Sequence, residues 1–385
     1  MSSTQENGLS ISVSYPLWGA VSSPALGIGD ITAQRLGEYS HEIGASGGFL
    51  TAEFTLAESQ SNVEQWLERI GYHVQVKSPA QSIIWEGFVN EVEVQIGALT
   101  IKRGPMLDIG NHVAVAYQTV SYNTNPPIGG EQSITSYADD AISQEKYGVL
   151  ETIVSGGTGL AAEMTALRDT YLAEYSMPET SQTVSVGAQG AAAVRVSCVG
   201  YVQLTNRYYY TESGTGTENI STKIGKVLAD SPSVTFDTTG ISANTIQVPV
   251  FSDGQSAAAG EIANLVARGD SSDNRYLFGV YAGQKAIYKA APTTVYYDFA
   301  VNGKEQIVTL AGGNAVVYPW DVAPGRWMLV SGVLVGQTVP ADLRTDPRAI
   351  FIESVRYTMP WGLELTGGKV GKFSQKLAKL GLGGI

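Results

Sequence analysis

Among 385 residues the sequence has one cysteine, three histidines and no run of about 18 apolar residues, and each scarcity removes a class of function. Cys198, inside VRVSCVG, can form neither an intramolecular disulfide nor a multi-cysteine metal site, and is expected as a small buried hydrophobe. His41, His73 and His112 show no HExxH or paired-ligand spacing, and His73 falls on the polar side of the alternating stretch YHVQVK, as a solvated imidazole would. Without a long apolar run there is no spanning helix. The opening MSSTQENGLS lacks a basic stretch followed by an apolar core, so synthesis in the cytoplasm is expected. Charged residues make up only 16%, with a net charge of −12, which opposes a sequence-independent grip on nucleic acid phosphates. No GxSxG elbow surrounds a serine and no cysteine–histidine context surrounds Cys198, so neither an enzyme nor a bound cofactor or metal is expected.

What is present points to β structure. Low charge with 44 glycines suits a β-rich, loop-rich chain, and the length suits two or three units. FLTAEFTL (49–56), YHVQVK (72–77), the stretch through Val92, Val94 and Ile96, and VAVAYQTV (113–120) alternate with period two, as antiparallel strands with one wet face do. Between them Val63, Trp66, Leu67 and Ile70 fall at helical spacing, with Gly71 as a stop. The polar, Pro/Gly-rich 121–140 reads as a boundary or long loop. Met164, Leu167, Tyr171 and Tyr175 predict a helix ended by Pro178; NISTKIGKVLAD and SAAAGEIANLVARGD predict two more, the second with Ser256 as N-cap and Gly269 past its end. From 276 the chain returns to strands: YLFGVY, KAIYKA, TTVYYDFAV, EQIVTL, AVVYPW, WMLVSGVLV, AIFIESVRYTM and WGLEL.

Three features invite chemistry. Gly157-Thr158-Gly159-Leu160-Ala161-Ala162 fits G-x-G-x-x-A, but a dinucleotide site needs that turn to feed parallel buried strands, and the downstream pattern does not supply them. Tyr208, Tyr209 and Tyr210 could form a stacking platform for a glycan; alternation instead predicts Tyr208 and Tyr210 packed inward and Tyr209 facing water. Glu91 and Glu93 lie side by side on one strand face, open to a cation or to acid/base work, or simply forming a solvated acidic face.

Several passages resemble one family. Trp-Glu-Gly-Phe-Val within 83–96, SQEKYGVLETIV with a following helix ending LAEYSMP, CVGYVQLTNRYY before ISTKIGKVLADSP, VVYPWDVAPGRWMLV, and DPRAIFIESVRYTMPWGLELTGG are together similar to baseplate hub and tail-associated proteins of siphophage-type tails. The resemblance implies a mainly β chain with α insertions: two antiparallel tube-like barrels, at 1–125 and 290–366, joined by a mixed middle at 126–289. It implies a homotrimeric ring at the distal tail end, in contact with tail tube, distal tail, tape-measure and fibre proteins, passing genomic DNA and residing in the virion. A strand lining such a conduit needs a carboxylate-rich wall, which nominates Glu91 and Glu93. A carbohydrate-binding adhesin of the tail tip is the alternative. In 367–385, Phe373, Leu377 and Leu380 form a stripe among Lys369, Lys372, Lys376 and Lys379. This basic amphipathic segment is expected to dock on an acidic tail-protein partner rather than on a membrane.

Overall fold

The computed structural model describes residues 9–18, 28–31, 36–121, 128–185, 192–302, 305–311, 315–331, 349–359 and 362–368. The first block runs β1 (Ser10–Ser14), β2 (Ile28–Ile31), β3 (Leu36–Gly44), β4 (Gly47–Ala57), the single turn α1 (Gln60–Val63), β5 (His73–Lys77), β6 (Ile83–Ile96) and β7 (Leu99–Arg103). The stripe Val63, Trp66, Ile70 is buried as its spacing predicts, but most of it winds as a 3₁₀ helix, Glu64–Arg69. Strand pairing is set by register rather than by chain order. β3 pairs β4, β5 pairs both β1 and β6, and β6 continues into β7, all antiparallel.

The middle holds β8 (His112–Ser121), β9 (Ile128–Ile134), β10 (Ala138–Asp139), α2 (Ala141–Tyr147), β11 (Glu151–Gly159), α3 (Ala161–Tyr175), β12 (Thr180–Val184) and β13 (Ala193–Val199). Residues 121–140, expected as a loop, thus carry two strands that extend β8. β12 and β13 return to the first block: β12 pairs β7, and β13 inserts between β4 and β6. Next come β14 (Tyr209–Glu212), β15 (Thr217–Asn219), α4 (Ile220–Ala229), β16 (Asp237–Ile241), β17 (Gln247–Pro249), β18 (Ser252–Ala257) and α5 (Ala258–Ala267). Ser256 does not cap α5. It lies within β18, whose last residue, Ala257, takes the N-cap position without a side-chain bond; Gly269 follows the helix with positive φ, as expected.

The last block comprises β19 (Tyr276–Tyr281), β20 (Lys285–Ala290), β21 (Val295–Asn302), β22 (Glu305–Leu310), β23 (Trp327–Ser331), β24 (Ala349–Thr358) and β25 (Gly362–Gly368). AVVYPW is not a strand: it contributes one bridge at Val316 and a 3₁₀ turn, Pro319–Asp321. β24 pairs β25 along one edge, and β23 then β3 along the other, so the two blocks share one hydrogen-bonded sheet of 17 strands. Among the described residues four pairings are parallel: β8 with β11, β16 with β20, β4 with β19, and β21 with β23. The β4–β19 contact requires glycine, because Gly48 has φ +76° and a Cβ there would drive into the Val280 backbone.

The main core lies under one face of this sheet. Tyr39, Phe54, Trp66, Trp85, Phe88, Val92, Val196 and Tyr201 are all at most 1–2% exposed within it. Cys198 belongs to it as the predicted small hydrophobe, and burial pushes its thiol pKa up.

Candidate functional site

Alternation along neighbouring strands builds a second, polar face. On β6, Val92 and Val94 are buried while Glu91, Glu93 and Gln95 point outward; on β13, Val194, Val196 and Cys198 are buried while Arg195 and Ser197 point outward. β4 turns Thr51, Glu53 and Thr55 to the same side, β3 turns Glu38, Ser40 and Glu42, and β24 turns Arg356 and Thr358. Register aligns these into rows across the strands. Glu364 stands beside Arg356 and Arg356 beside Glu42; Ser40, Glu53, Ser197 and Glu91 follow one another; so do Thr55, Arg195, Glu93, Lys102 and Ser181. The face runs β25–β24–β3–β4–β13–β6–β7–β12, roughly 34 Å wide at the usual spacing of about 4.8 Å.

Six carboxylates (Glu38, Glu42, Glu53, Glu91, Glu93, Glu364) meet three basic groups (Lys102, Arg195, Arg356) on this face, an excess of three negative charges. The rest is Ser, Thr and Gln, with no large exposed apolar side chain in the rows. Glu91 holds Lys102 at 2.8 Å, which raises the lysine pKa, and Arg195 pairs with Glu53. Glu93 sits in register between Arg195 and Lys102. The two sequence-nominated carboxylates therefore share one face, with basic neighbours that the sequence pattern did not reveal. A recess of about 370 Å³ opens among Glu38, Ser40, Glu53, Arg195, Arg356 and Thr358.

Glu86, on the same strand, has a different fate. It is 2% exposed, accepts the Gly283 N–H at 2.6 Å and the Gln75 amide at 2.8 Å, and approaches His73 Nε2 at 3.4 Å. His73 is not solvated. It is 8% exposed, its Nδ1 lies 2.7 Å from the Tyr201 hydroxyl, and burial lowers its pKa against the opposing pull of Glu86. Carboxylate, imidazole and phenol here tie β5 and β6 to the turn at 282–284.

Tyr208 and Tyr210 are buried and bonded through their hydroxyls to the Val227 carbonyl and the Glu212 carboxylate, leaving only Tyr209 half-exposed and no stacking platform. The glycine motif does end a strand with a parallel partner, β8, and does open a helix. Yet Glu163 accepts the Leu160 N–H at 3.0 Å, placing a carboxylate where a phosphate would sit, and the chain then leaves for β7 instead of extending the small sheet. No cluster of three or more His, Cys, Asp or Glu side chains with metal-binding geometry occurs among the described residues. Lys369, Lys372, Phe373, Lys376, Leu377, Lys379 and Leu380 lie outside the described residues.

No protein-family model matches the chain. No curated protein matches it either. Among solved structures it is similar to the tail protein from Neisseria meningitidis MC58, at 7% identity and a TM-score of 0.45, over 95% of this chain and 98% of that one. The 43 kDa tail protein of prophage MuSo2 from Shewanella oneidensis follows at 7% identity and 0.43, over 94% and 98%. A component of the E. coli type VI secretion system, described as structurally similar to T4 bacteriophage tail proteins gp27 and gp5, gives 8% identity and 0.38, over 88% and 76%.

Proposed function

We propose that this chain is a structural protein of a phage-type tail, acting as a hub whose copies, three to a ring, surround a channel for DNA. The observation that carries the proposal is the eight-strand polar face with its excess of carboxylates, read together with the sequence resemblance to baseplate hub proteins. A polyanion passing such a face meets repulsion from unpaired carboxylates, while each lysine or arginine on it has a carboxylate beside it on the sheet. Partners under this reading are further copies of the chain and neighbouring tail proteins, with DNA in transit only.

The test is charge reversal on assembled particles. Glu91→Lys with Glu93→Lys turns the face from three net negative charges to one net positive, at a cost to folding of about 0.5–1 kcal/mol for each exposed pair lost. Expected is normal particle assembly with genome ejection slowed most at low salt, where screening is weakest. Ejection at the unaltered rate at low salt would remove this face from the channel. Electron microscopy of the purified chain that shows no threefold ring at any concentration would remove the ring.

A further inference from the structure

The start of α2 and the end of α3 are bonded together at a point where both leave apolar side chains in water. The Ser143 hydroxyl donates to the Ser176 carbonyl, and Asn111 Nδ2 holds the same hydroxyl at 3.1 Å. Both serines are buried, at 0% and 5% exposure, yet their chain neighbours are not: Ile142 is 74% exposed, Tyr175 49% and Met177 41%. The bond gathers these three on one part of the surface. Folding gives no reason for isoleucine at 142, since the turn is already capped by Asp140, whose carboxylate accepts the Ile142 and Ser143 N–H groups at 3.1 Å. An exposed apolar group that contributes so little to the core has another use open to it, which is contact with a second molecule.

Size and charge say what that molecule is. The three side chains offer on the order of 300 Å² of surface, well short of the roughly 800 Å² per partner that a stable protein dimer needs, so the occupant is a short segment and not a globular face. Around them stand the exposed carboxylates of Glu145, one turn on from Ile142, Glu174, beside Tyr175, and Glu179, two residues past Met177. The basic residues of the two helices are already engaged: Lys146 holds Glu68 at 2.7 Å, and Arg168 binds Asp169 at 2.6 Å and the Ser136 carbonyl at 2.8 Å. The rim is therefore acidic. Nucleic acid and anionic lipid would be repelled by it, and so would a second copy of a chain carrying a net charge of −12.

We propose that the joined ends of α2 and α3 are a docking site for a short basic amphipathic segment of another protein. Its apolar side chains cover Ile142, Tyr175 and Met177, and its lysines or arginines reach Glu145, Glu174 and Glu179 at the rim. None of these residues belongs to the polar rows, so the two surfaces can be occupied independently.

Synthetic peptides test it on the full chain. Three labelled helical peptides of about 20 residues serve as probes, one of leucine and lysine in amphipathic order, one with serine in place of every leucine, and one with glutamate in place of every lysine. Expected by fluorescence anisotropy is that the leucine–lysine peptide binds, at least about tenfold more tightly than either of the others, and that its binding weakens with added salt. Ile142→Ser with Met177→Ser should lower that affinity about tenfold. Equal binding to the variant, or serine–lysine binding as tight as leucine–lysine, would overturn the site, the first by moving the contact elsewhere and the second by reducing it to charge alone. A readout that needs no variant is peroxide oxidation of Met177 followed by mass spectrometry: the thioether should oxidise in the chain alone and be protected by the leucine–lysine peptide. Met177 already protected in the chain alone would mean that the patch is covered from within, protection that grows with chain concentration would assign it to a second copy, and no protection by the peptide would remove the contact; each refutes the proposal.

Discussion

Acid should destabilise this fold through His41, and the magnitude follows from where that ring sits. His41 is 2% exposed on the inner face of β3, its Nδ1 lies 2.8 Å from the Tyr39 hydroxyl, and it packs tilted against Tyr357 with ring centroids 5.4 Å apart. Burial lowers its pKa from the ordinary 6.5 to about 3. Between those values the unfolded chain binds a proton that the folded chain refuses, so unfolding free energy falls as pH falls. This stabilising contribution is complete above pH 6.5 and shrinks on the way down towards pH 3. At pH 5 the loss relative to pH 7.5 is about 2 kcal/mol, with a slope near 1.3 kcal/mol per pH unit, and it is insensitive to the folded value as long as that value stays below about 4. His73, also lowered by burial, acts in the same direction, as do carboxylates at lower pH, so the informative quantity is a difference. His41→Gln keeps an acceptor for the Tyr39 hydroxyl and removes the titration. Urea midpoints of both proteins at half-unit steps from pH 7.5 to 5 should converge as pH falls, the wild type losing about 2 kcal/mol more than the variant. Parallel curves would show that the ring is protonated in the folded state or open to solvent, and would refute the reasoning.

Glu86→Ala should cost about 3 kcal/mol, since it orphans the Gly283 N–H and the Gln75 amide and leaves His73 without its carboxylate; a loss under about 1 kcal/mol by urea titration would mean that water replaces it. Gly48→Ala should prevent β4 and β19 from meeting and yield little soluble protein, whereas a crystal structure of that variant with the Gly48–Val280 pairing intact would contradict the steric account. α3 buries only Met164 against a small cluster of Val115, Tyr117 and Val154, while Leu160, Leu167 and Tyr175 stay exposed. Its amides should therefore exchange hydrogen much faster than those of β4 or β13 in the isolated chain and slow in an assembly; equal protection in the isolated chain would show that α3 needs no further neighbour.

Period-two alternation made the polar face legible one strand at a time, because β3 over 38–43, β4 over 51–57, β6 over 91–95 and the whole of β13 bury every second residue. The order of those strands was not legible. β13 enters between β4 and β6 from about a hundred residues downstream, and β24 reaches β3 across some three hundred, so nothing local shows that Arg195 will stand beside Glu93 or Arg356 beside Glu42. The same distance explains the misplacement of His73. Alternation assigns a strand one wet side, but residues 84–89 of β6 are buried without interruption, because Tyr201 and the 282–284 turn cover the side that YHVQVK and IIWEGFV appoint to water. The β8–β11 pairing escaped for a related reason: β8 carries the apolar run VAVAY with Val113, Ala114 and Val115 buried, but its parallel partner β11 is half-wet and lacks such a run.

The ion pairs on the polar face explain little about stability and more about surface chemistry. Exposed pairs such as Glu91–Lys102 contribute about 0–1 kcal/mol each, so folding alone gives weak reason to alternate charges across eight strands. A uniformly acidic face would be unfavourable in another way, since like charges directly opposite one another on adjacent strands destabilise the pairing. Setting Arg195 between Glu93 and the Glu53 row, and Arg356 between Glu42 and Glu364, relieves that repulsion while consuming the basic groups laterally. A phosphate arriving from solution would have to displace a carboxylate already within reach of each cation, and would meet the three uncompensated carboxylates while doing so. Under the proposed channel role, replacing both Ser197 and Ser40, which carry no charge and stand beside Glu53, with lysine cuts the excess from three negative charges to one and should make the face retain DNA more than loss of any single glutamate, which leaves two.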